Sequence, residues 1–150
     1  RLTAGSNSKI INNKDYEFEI GKAVEIKSGE DVSIIGCGNI LWNCLEAATV
    51  LKEKNIKCSV VNMHTVKPID KEKVIELAKK HKLIVTVEEH NIIGGLGSAV
   101  AEVLAEDKNN CKLVRIGAKD FYSPGGSYDY LKDIYGLSVE KIIQTVFLNL

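Results

Sequence analysis

The stretch LIVTVEEHNIIGGLGSAVAEVLAE, residues 83–106, decides the fold. It opens with Leu83–Val87, a run rich in β-branched residues that predicts a strand buried on both faces, as in a parallel sheet. Polar residues follow, and a glycine-rich turn then leads into apolar residues that recur at helical spacing. Because ligands in open α/β sheets bind at the carboxyl ends of the strands, the polar residues mark a candidate site. They are Glu88, Glu89, His90 and Asn91.

The rest of the chain alternates between predicted strands and helices, which indicates an α/β fold of three layers with a mostly parallel sheet. Five strands are predicted, at Ala23–Lys27, Val32–Ile35, Cys58–Met63, Leu83–Val87 and Leu113–Ile116. A four-residue turn joins the first strand to the second, whereas a parallel crossover needs about a dozen residues. We therefore expect the first strand to run antiparallel to the other four, with helices on both faces of the sheet.

The amino-terminal part of the chain differs from the rest in composition. Residues 1–14 carry glycine, serine and asparagine with little apolar content, which predicts a linker or the tail of a preceding domain, followed by one domain at 15–150. Tyr16, Phe18 and Ile20 alternate with acidic residues, which predicts an extended segment with one buried side. Since the only methionine is at position 63, we expect the chain to be a piece of a longer protein.

Composition narrows the class of protein. Lys plus Arg and Asp plus Glu both number 20, so the formal charge of zero gives no indication of a nucleic acid partner or an anionic membrane. Every apolar run is shorter than the roughly 18 residues that cross a membrane. The cysteines lack any C-x-x-C spacing, which indicates reduced, structural thiols and a cytoplasmic location. They are Cys37, Cys44, Cys58 and Cys111.

The sequence GCGN after the second strand resembles the start of a dinucleotide-binding fingerprint. Gly36, Gly38 and Asn39 belong to it. The full pattern needs a third glycine three residues after Gly38, where Leu41 stands, and an acid at the end of the following strand, where Asn62 and Met63 stand. We interpret GCGN as a tight strand-to-helix turn, and anion binding at the start of the helix is the alternative.

The polar residues after the fourth strand allow several interpretations. Acid–base catalysis or metal ligation is one, with His64 as the companion of Glu89 and His90. However, adjacent residues at the end of a strand do not converge on one atom, and no second cluster of His or Cys completes a site. We favour a polar interface or a network at the start of the next helix.

The loop that follows carries apolar and small residues. Ile92 and Ile93 predict a subunit or domain contact, and the alternative is that they pack into the core of this domain. The small residues that follow could hold a phosphate, but they lack the lysine of a P-loop, so we favour close packing of backbone against a neighbour. They are Gly94, Gly95, Gly97 and Ser98.

Several segments, in the right order, resemble the C-terminal domain of the transketolase family of thiamine-diphosphate enzymes. They are DYEFEIGKAVEIKSGEDVSIIGCGN (15–39), VVNMHTVKPID (60–70), TVEEHNIIGGLGSAVAEVL (86–104) and FYSPGGSYDYLKDIYGLSVEKII (121–143). The resemblance covers nearly all of the chain from about residue 15 and is closest to the C-terminal half of a split transketolase subunit. Deoxyxylulose-phosphate synthase and the beta subunits of 2-oxoacid dehydrogenases share it.

The resemblance implies a fold and a role. The family fold has the strand order 1-3-2-4-5, so Gly36–Asn39 and Glu88–Asn91 would flank one crevice. In the family, thiamine diphosphate and Mg²⁺ lie between a pyrophosphate-binding and a pyrimidine-binding domain, which carry the catalytic residues. The resemblance therefore implies a homodimer-forming module without a catalytic or metal-ligating residue, inactive by itself, in an enzyme that transfers two-carbon ketol units between sugar phosphates. An independent small-anion or nucleotide-binding module is the alternative from the residues alone.

Overall fold

The computed structural model describes residue 11, residues 17–108 and residues 110–150. Most of the predicted linker at 1–14, and Tyr16, lie outside these residues, so the domain boundary near residue 15 stays a prediction. The described chain contains a five-stranded sheet of order β1-β3-β2-β4-β5. Its strands are β1 (Val24–Lys27), β2 (Val32–Gly36), β3 (Cys58–Asn62), β4 (Leu83–Asn91) and β5 (Lys112–Ala118).

The directions of the strands confirm the prediction from connection length. β1 pairs with β3 in the antiparallel sense, while the pairs β2–β3, β2–β4 and β4–β5 are all parallel. The strand order that the family resemblance implied is also confirmed. Consequently β2 and β4 are neighbours, and their carboxyl ends meet at one edge of the sheet.

Helices cover both faces of the sheet. A 3-10 turn at Gly38–Ile40 precedes the helices, which are α1 (Leu41–Glu53), α2 (Lys71–Lys80), α3 (Leu96–Asp107), α4 (Tyr128–Ile134) and α5 (Val139–Asn149). Helices α1 and α5 share one buried apolar cluster, and α2 and α3 share the other. All of β2 is buried, with Ile34 in the first cluster and Ile35 in the second. The alternation of side chains along a strand explains this division.

Polar residues mark the ends of three helices. Asp70 begins α2, because its Oδ1 accepts from the Lys73 N–H at 3.0 Å, while its Oδ2 accepts from the Ala23 N–H at 2.8 Å. Asn55, with φ of 61°, follows α1 in the left-handed conformation. Ser138 stands at the start of α5 without a side-chain cap bond, since its hydroxyl donates to Asp133 instead.

One prediction from apolar pattern is wrong. Phe18 and Ile20 are 57% and 69% exposed, although their alternation with acidic residues predicted a buried side. Phe18 lies against the ring of His64, with ring centroids 4.4 Å apart, so an aromatic contact takes the place of burial in the core. On α5, Phe147 and Leu150 are also exposed, while Ile142 and Val146 are buried.

Strand β4 is longer than the sequence predicts. The polar residues Glu88–Asn91, predicted as a loop, continue the strand and pair with β5, with an irregularity in register between Val87 and Asn91. Asn91 pairs with Ala118 of β5, so the segment stays in the sheet although it lacks apolar residues.

Candidate functional site

The candidate site is the crevice at the carboxyl ends of β2 and β4, where Gly36 is in register with Val87. Beyond these residues the two strands lead to α1 on one face of the sheet and α3 on the other. This is the switch point of the sheet, the place where open α/β folds bind ligands.

Glu88 is the most buried acidic residue of this edge, at 1% exposed. Its Oε2 accepts from the Leu96 N–H at 2.7 Å, and its Oε1 accepts from the Gly97 N–H at 2.8 Å. Both groups belong to the first turn of α3, whose N–H groups have no partner within the helix. The carboxylate therefore holds the start of α3, and both of its oxygens are engaged.

Glu89 and His90 form hydrogen bonds with other parts of the chain, away from the start of α3. The Tyr128 hydroxyl donates to Glu89 Oε1, which joins β4 to α4. Burial raises the pKa of Tyr128, and its hydrogen bond to the Glu89 carboxylate raises it further, so the phenol keeps its proton. His90 is exposed, and its Nδ1 lies 2.9 Å from the carbonyl oxygen of Asn91. Glu88 and Glu89 thus diverge to different helices.

The loop after β4 is held by a local set of hydrogen bonds around Ser98. The Ser98 hydroxyl donates to the Ile92 carbonyl at 2.9 Å and accepts from the Gly94 N–H at 3.0 Å. Arg115 donates to the same carbonyl at 3.0 Å and to the same hydroxyl at 3.2 Å. Sequence analysis missed Arg115. Its only signal was that the chain has two arginines, one of which lies in β5.

The glycines of this loop are needed for space and for conformation. Gly94 has a positive φ of 76°. A Cβ on Gly95 would lie 2.0 Å from Glu88 Oε2, and a Cβ on Gly97 would lie 2.7 Å from Arg115 Cδ. At Gly95 and Gly97 the backbone therefore packs closely against neighbouring residues.

The two isoleucines of the loop have different surroundings. Ile93 is 63% exposed, so packing of this side chain into the domain's own core is wrong. Ile92 is half-buried, and its N–H donates to the Ala118 carbonyl at 2.9 Å. Of these two side chains, Ile93 is the one exposed enough to contact a partner.

The other wall of the crevice is the turn after β2. Gly38 has a positive φ of 76°, and Asn39 is half-buried beside it. Burial raises the pKa of Cys37 to about 11, and the carboxylates of Glu88 and Glu89 act in the same direction. A thiol with such a pKa is protonated at neutral pH and is a poor nucleophile.

The end of β3 adds two polar side chains near this edge. Asn62 is in register with Gly36, and His64 follows it by two residues. Within the described residues, Asn62 Oδ1 and both ring nitrogens of His64 are buried without a hydrogen-bond partner. Such atoms are positions for ordered water or a polar partner. His64 was a candidate from the sequence and Asn62 was not, and within the described residues His64 forms no hydrogen bond with Glu89 or His90.

Metal-binding clusters and membrane-spanning helices are both absent from the described part of the chain. Residues 11, 17–108 and 110–150 contain no group of three or more His, Cys, Asp or Glu side chains placed to hold a metal ion. Among the helices of these residues, none has the length and apolar character needed to span a bilayer.

Comparisons with known proteins agree on one family. A Methanocaldococcus jannaschii protein provisionally named as a transketolase C-terminal section is 45% identical over 136 residues, which are 90% of this chain and 42% of that protein. The 1-deoxy-D-xylulose-5-phosphate synthase of Desulfitobacterium hafniense (strain DSM 10664 / DCB-2) is 36% identical over 85% of this chain and 20% of its own length. This chain thus spans less than half the length of either relative.

A solved structure described as a split gene transketolase, an inactive beta4 tetramer, superposes with a TM-score of 0.87 at 39% identity. The match covers 94% of this chain and 46% of that one. The family model for the C-terminal domain of transketolase matches residues 21–142, which include the whole sheet and the crevice between β2 and β4. The chain therefore belongs to the transketolase C-terminal domain family.

Proposed function

We propose that this chain is the C-terminal, non-catalytic module of a thiamine-diphosphate enzyme that transfers two-carbon ketol units between sugar phosphates. One observation carries the proposal: both oxygens of Glu88 bond the start of α3, so the most buried acid of the crevice stabilises the fold. The bond from Tyr128 to Glu89 and the protonated thiol of Cys37 support the same conclusion.

The cofactor would be held by the other domains of the enzyme. Mg²⁺ on a diphosphate requires oxygen ligands in near-octahedral geometry. The described acids do not fit it, because Glu88 and Glu89 diverge and are already bonded. Without thiamine diphosphate this chain has no electron sink for cleaving the carbon–carbon bond of a ketose. Its own contribution would be to hold the neighbouring domains in place.

The surface for this role lies around the loop after β4. Ile93 is exposed there, and the segment after β5 adds exposed aromatic side chains, one of which, Tyr128, bonds Glu89. The partners would be a pyrimidine-binding domain, a pyrophosphate-binding domain or subunit, and a second copy of the chain, all in the cytoplasm. Residues 15–150 would form the module and residues 1–14 its connection to a preceding domain.

The experiment is a calorimetric titration of this chain with thiamine diphosphate and Mg²⁺, together with an assay of ketol transfer. We expect negligible binding and no turnover by the chain alone. In the complete enzyme, removal of the chain should abolish activity. Micromolar binding or turnover by the chain alone would refute the non-catalytic role, and full activity of the other domains without it would refute the role in assembly.

A second prediction tests the contact surface. Ile93→Asp places a charge on a side chain that is 63% exposed, so it should leave the melting temperature nearly unchanged. It should weaken self-association at least tenfold, because burying an unpaired carboxylate at an apolar contact is unfavourable. Sedimentation velocity measures the association constant. Leu148→Asp, at an exposed position of α5, is the matched control, and an unchanged constant in Ile93→Asp would reject the contact.

One comparison favours a second candidate, the C-terminal domain of a 1-deoxy-D-xylulose-5-phosphate synthase, since such an enzyme is 36% identical over 85% of this chain. An assay of the complete protein for both products, the transferred ketose and 1-deoxy-D-xylulose 5-phosphate, distinguishes the two. An independent anion-binding module has less support, because the N–H groups at the start of α3 are already bonded to Glu88.

A further inference from the structure

A second concave site lies at the opposite edge of the sheet from the crevice. Its volume is about 350 Å³, within the range of small-molecule sites. β1 ends here at Lys27 and β3 begins here at Cys58, while the last turns of α1 and α2 bring Lys52 and Lys80. Four structural elements therefore form this cavity, which we call the lysine cavity.

The lysine cavity carries positive charge that the nearby acids do not balance. Its lysines are Lys27, Lys52, Lys57 and Lys80. The nearby acids are Glu30, 3.6 Å from Lys57 Nζ, and Asp31, whose carboxylate accepts from the Lys57 N–H. Lys27 Nζ instead lies 3.4 Å from the hydroxyl of Thr49. No salt bridge is recorded for Lys27, Lys52 or Lys80 in the described residues. Three lysines therefore line one cavity without an acidic partner among the described residues, in a chain whose formal charge is zero.

Helix electrostatics explain only part of this cluster. Lys52 and Lys80 lie in the last turns of helices, where a cation is favoured by the helix dipole. Lys27 and Lys57 do not belong to a helix. Burial lowers the pKa of Lys27, Cys58 opposes this shift and the charge of Lys52 adds to it, so a nearby anion would favour the charged form of Lys27.

The wall of the lysine cavity is fixed before any ligand arrives. The Glu30 and Asp31 N–H groups both donate to the Lys57 carbonyl, at 3.0 and 2.9 Å. Asp31 Oδ2 accepts from the Lys57 N–H at 2.6 Å. A Cβ on Gly29 would lie 2.2 Å from the carbonyl carbon of Cys58, so this turn is pressed against β3. A preformed site loses less freedom on binding than a mobile one.

We propose that the lysine cavity binds a small molecule with two or more phosphoryl groups. Lysine binds phosphate as a point charge, and three lysines without acidic partners around one cavity match the charge of a diphosphate better than that of a single phosphate. The proposal is independent of the function proposed above, because the cavity lies at the other end of the sheet and uses none of the same residues.

The test is calorimetric titration of the purified protein with sodium pyrophosphate at neutral pH and low salt. Lys27→Gln and Lys52→Gln should each weaken binding roughly tenfold, as expected for one lost hydrogen bond to a charged group. Lys119→Gln removes the same charge from an exposed lysine that follows β5 at the opposite edge, and it should bind as the unaltered protein does. Circular dichroism checks that each variant is folded.

Three results would overturn the proposal. The first is the lack of saturable binding up to about 10 mM pyrophosphate, a concentration that corresponds to a very weak complex. The second is an equal loss of affinity in Lys52→Gln and Lys119→Gln, which would indicate general charge attraction. The third is orthophosphate binding as tightly as pyrophosphate, which would remove the preference for a diphosphate.

Discussion

Glu88→Ala is expected to lower the free energy of unfolding by about 3–5 kcal/mol, because two charge-assisted hydrogen bonds are lost and two donors are left without them. The side chain is 1% exposed, and its oxygens accept from the N–H groups of Leu96 and Gly97. These donors lie at the positive end of the dipole of α3, where a carboxylate is favoured. Urea denaturation followed by circular dichroism measures the change.

Glu89→Ala is the matched control for this experiment. Glu89 is the adjacent acid on the same strand, but it is only half-buried and accepts one bond, from the Tyr128 hydroxyl. Glu89→Ala should lower the free energy of unfolding by about 1 kcal/mol. If the two variants were equally stable, Glu88 would not be what holds the start of α3.

Gly95→Ala is expected to destabilise the fold by about 3 kcal/mol, because the added methyl group has no space. Its carbon would lie 2.0 Å from Glu88 Oε2 and 2.7 Å from the carbonyl oxygen of Asn91. The backbone oxygen does not move easily, and moving the Glu88 carboxylate would break its bonds to α3. Thermal unfolding monitored by calorimetry measures the effect.

The control is Gly125→Ala, since a Cβ at Gly125 would meet no atom within 4 Å. Its stability should stay within about 0.5 kcal/mol of the original protein. The mechanism also predicts that Glu88→Ala and Gly95→Ala are not additive, because the first removes the atom that the second would contact. Additive losses in the double variant would contradict this account of the glycine.

The sequence predicted the parts of the fold that depend on local rules. The short connection between the first two strands was enough to set the direction of β1, because chain length limits how two strands can be joined. The cap of α2 follows such a rule too, because Asp70 stands directly before the helix and its side chain accepts from the Lys73 N–H. The order of the strands came from the family resemblance, since residue pattern alone does not determine it.

The parts that sequence could not predict depend on partners distant along the chain or across the sheet. Four consecutive polar residues, 88–91, resemble a loop, and only pairing with β5 makes them a strand. Glu88 is buried because its bonding partners are eight and nine residues later, across a turn whose shape the sequence does not specify. Arg115 contacts Ile92, which is 23 residues earlier in the chain, because β4 and β5 are adjacent strands of the sheet.

Exposed apolar residues were a second source of error. Phe18 and Ile20 alternate with acids as an edge strand would, and yet both are exposed. Alternation indicates that one side of a segment is apolar, but it does not indicate whether other residues cover that side. The exposure of Ile93 was equally undetermined, because an isoleucine in a glycine-rich loop fits a core and an interface alike.

The two outer strands of the sheet protect the protein from aggregation. β1 has four residues, its register with β3 shifts between Glu25 and Lys27, and both of these side chains are charged. At the other border, β5 carries exposed Lys112 and Arg115. Short, irregular and charged borders are poor templates for another strand. Copies of this chain should therefore resist open-ended fibre growth by strand addition, even where exposed apolar side chains let them associate.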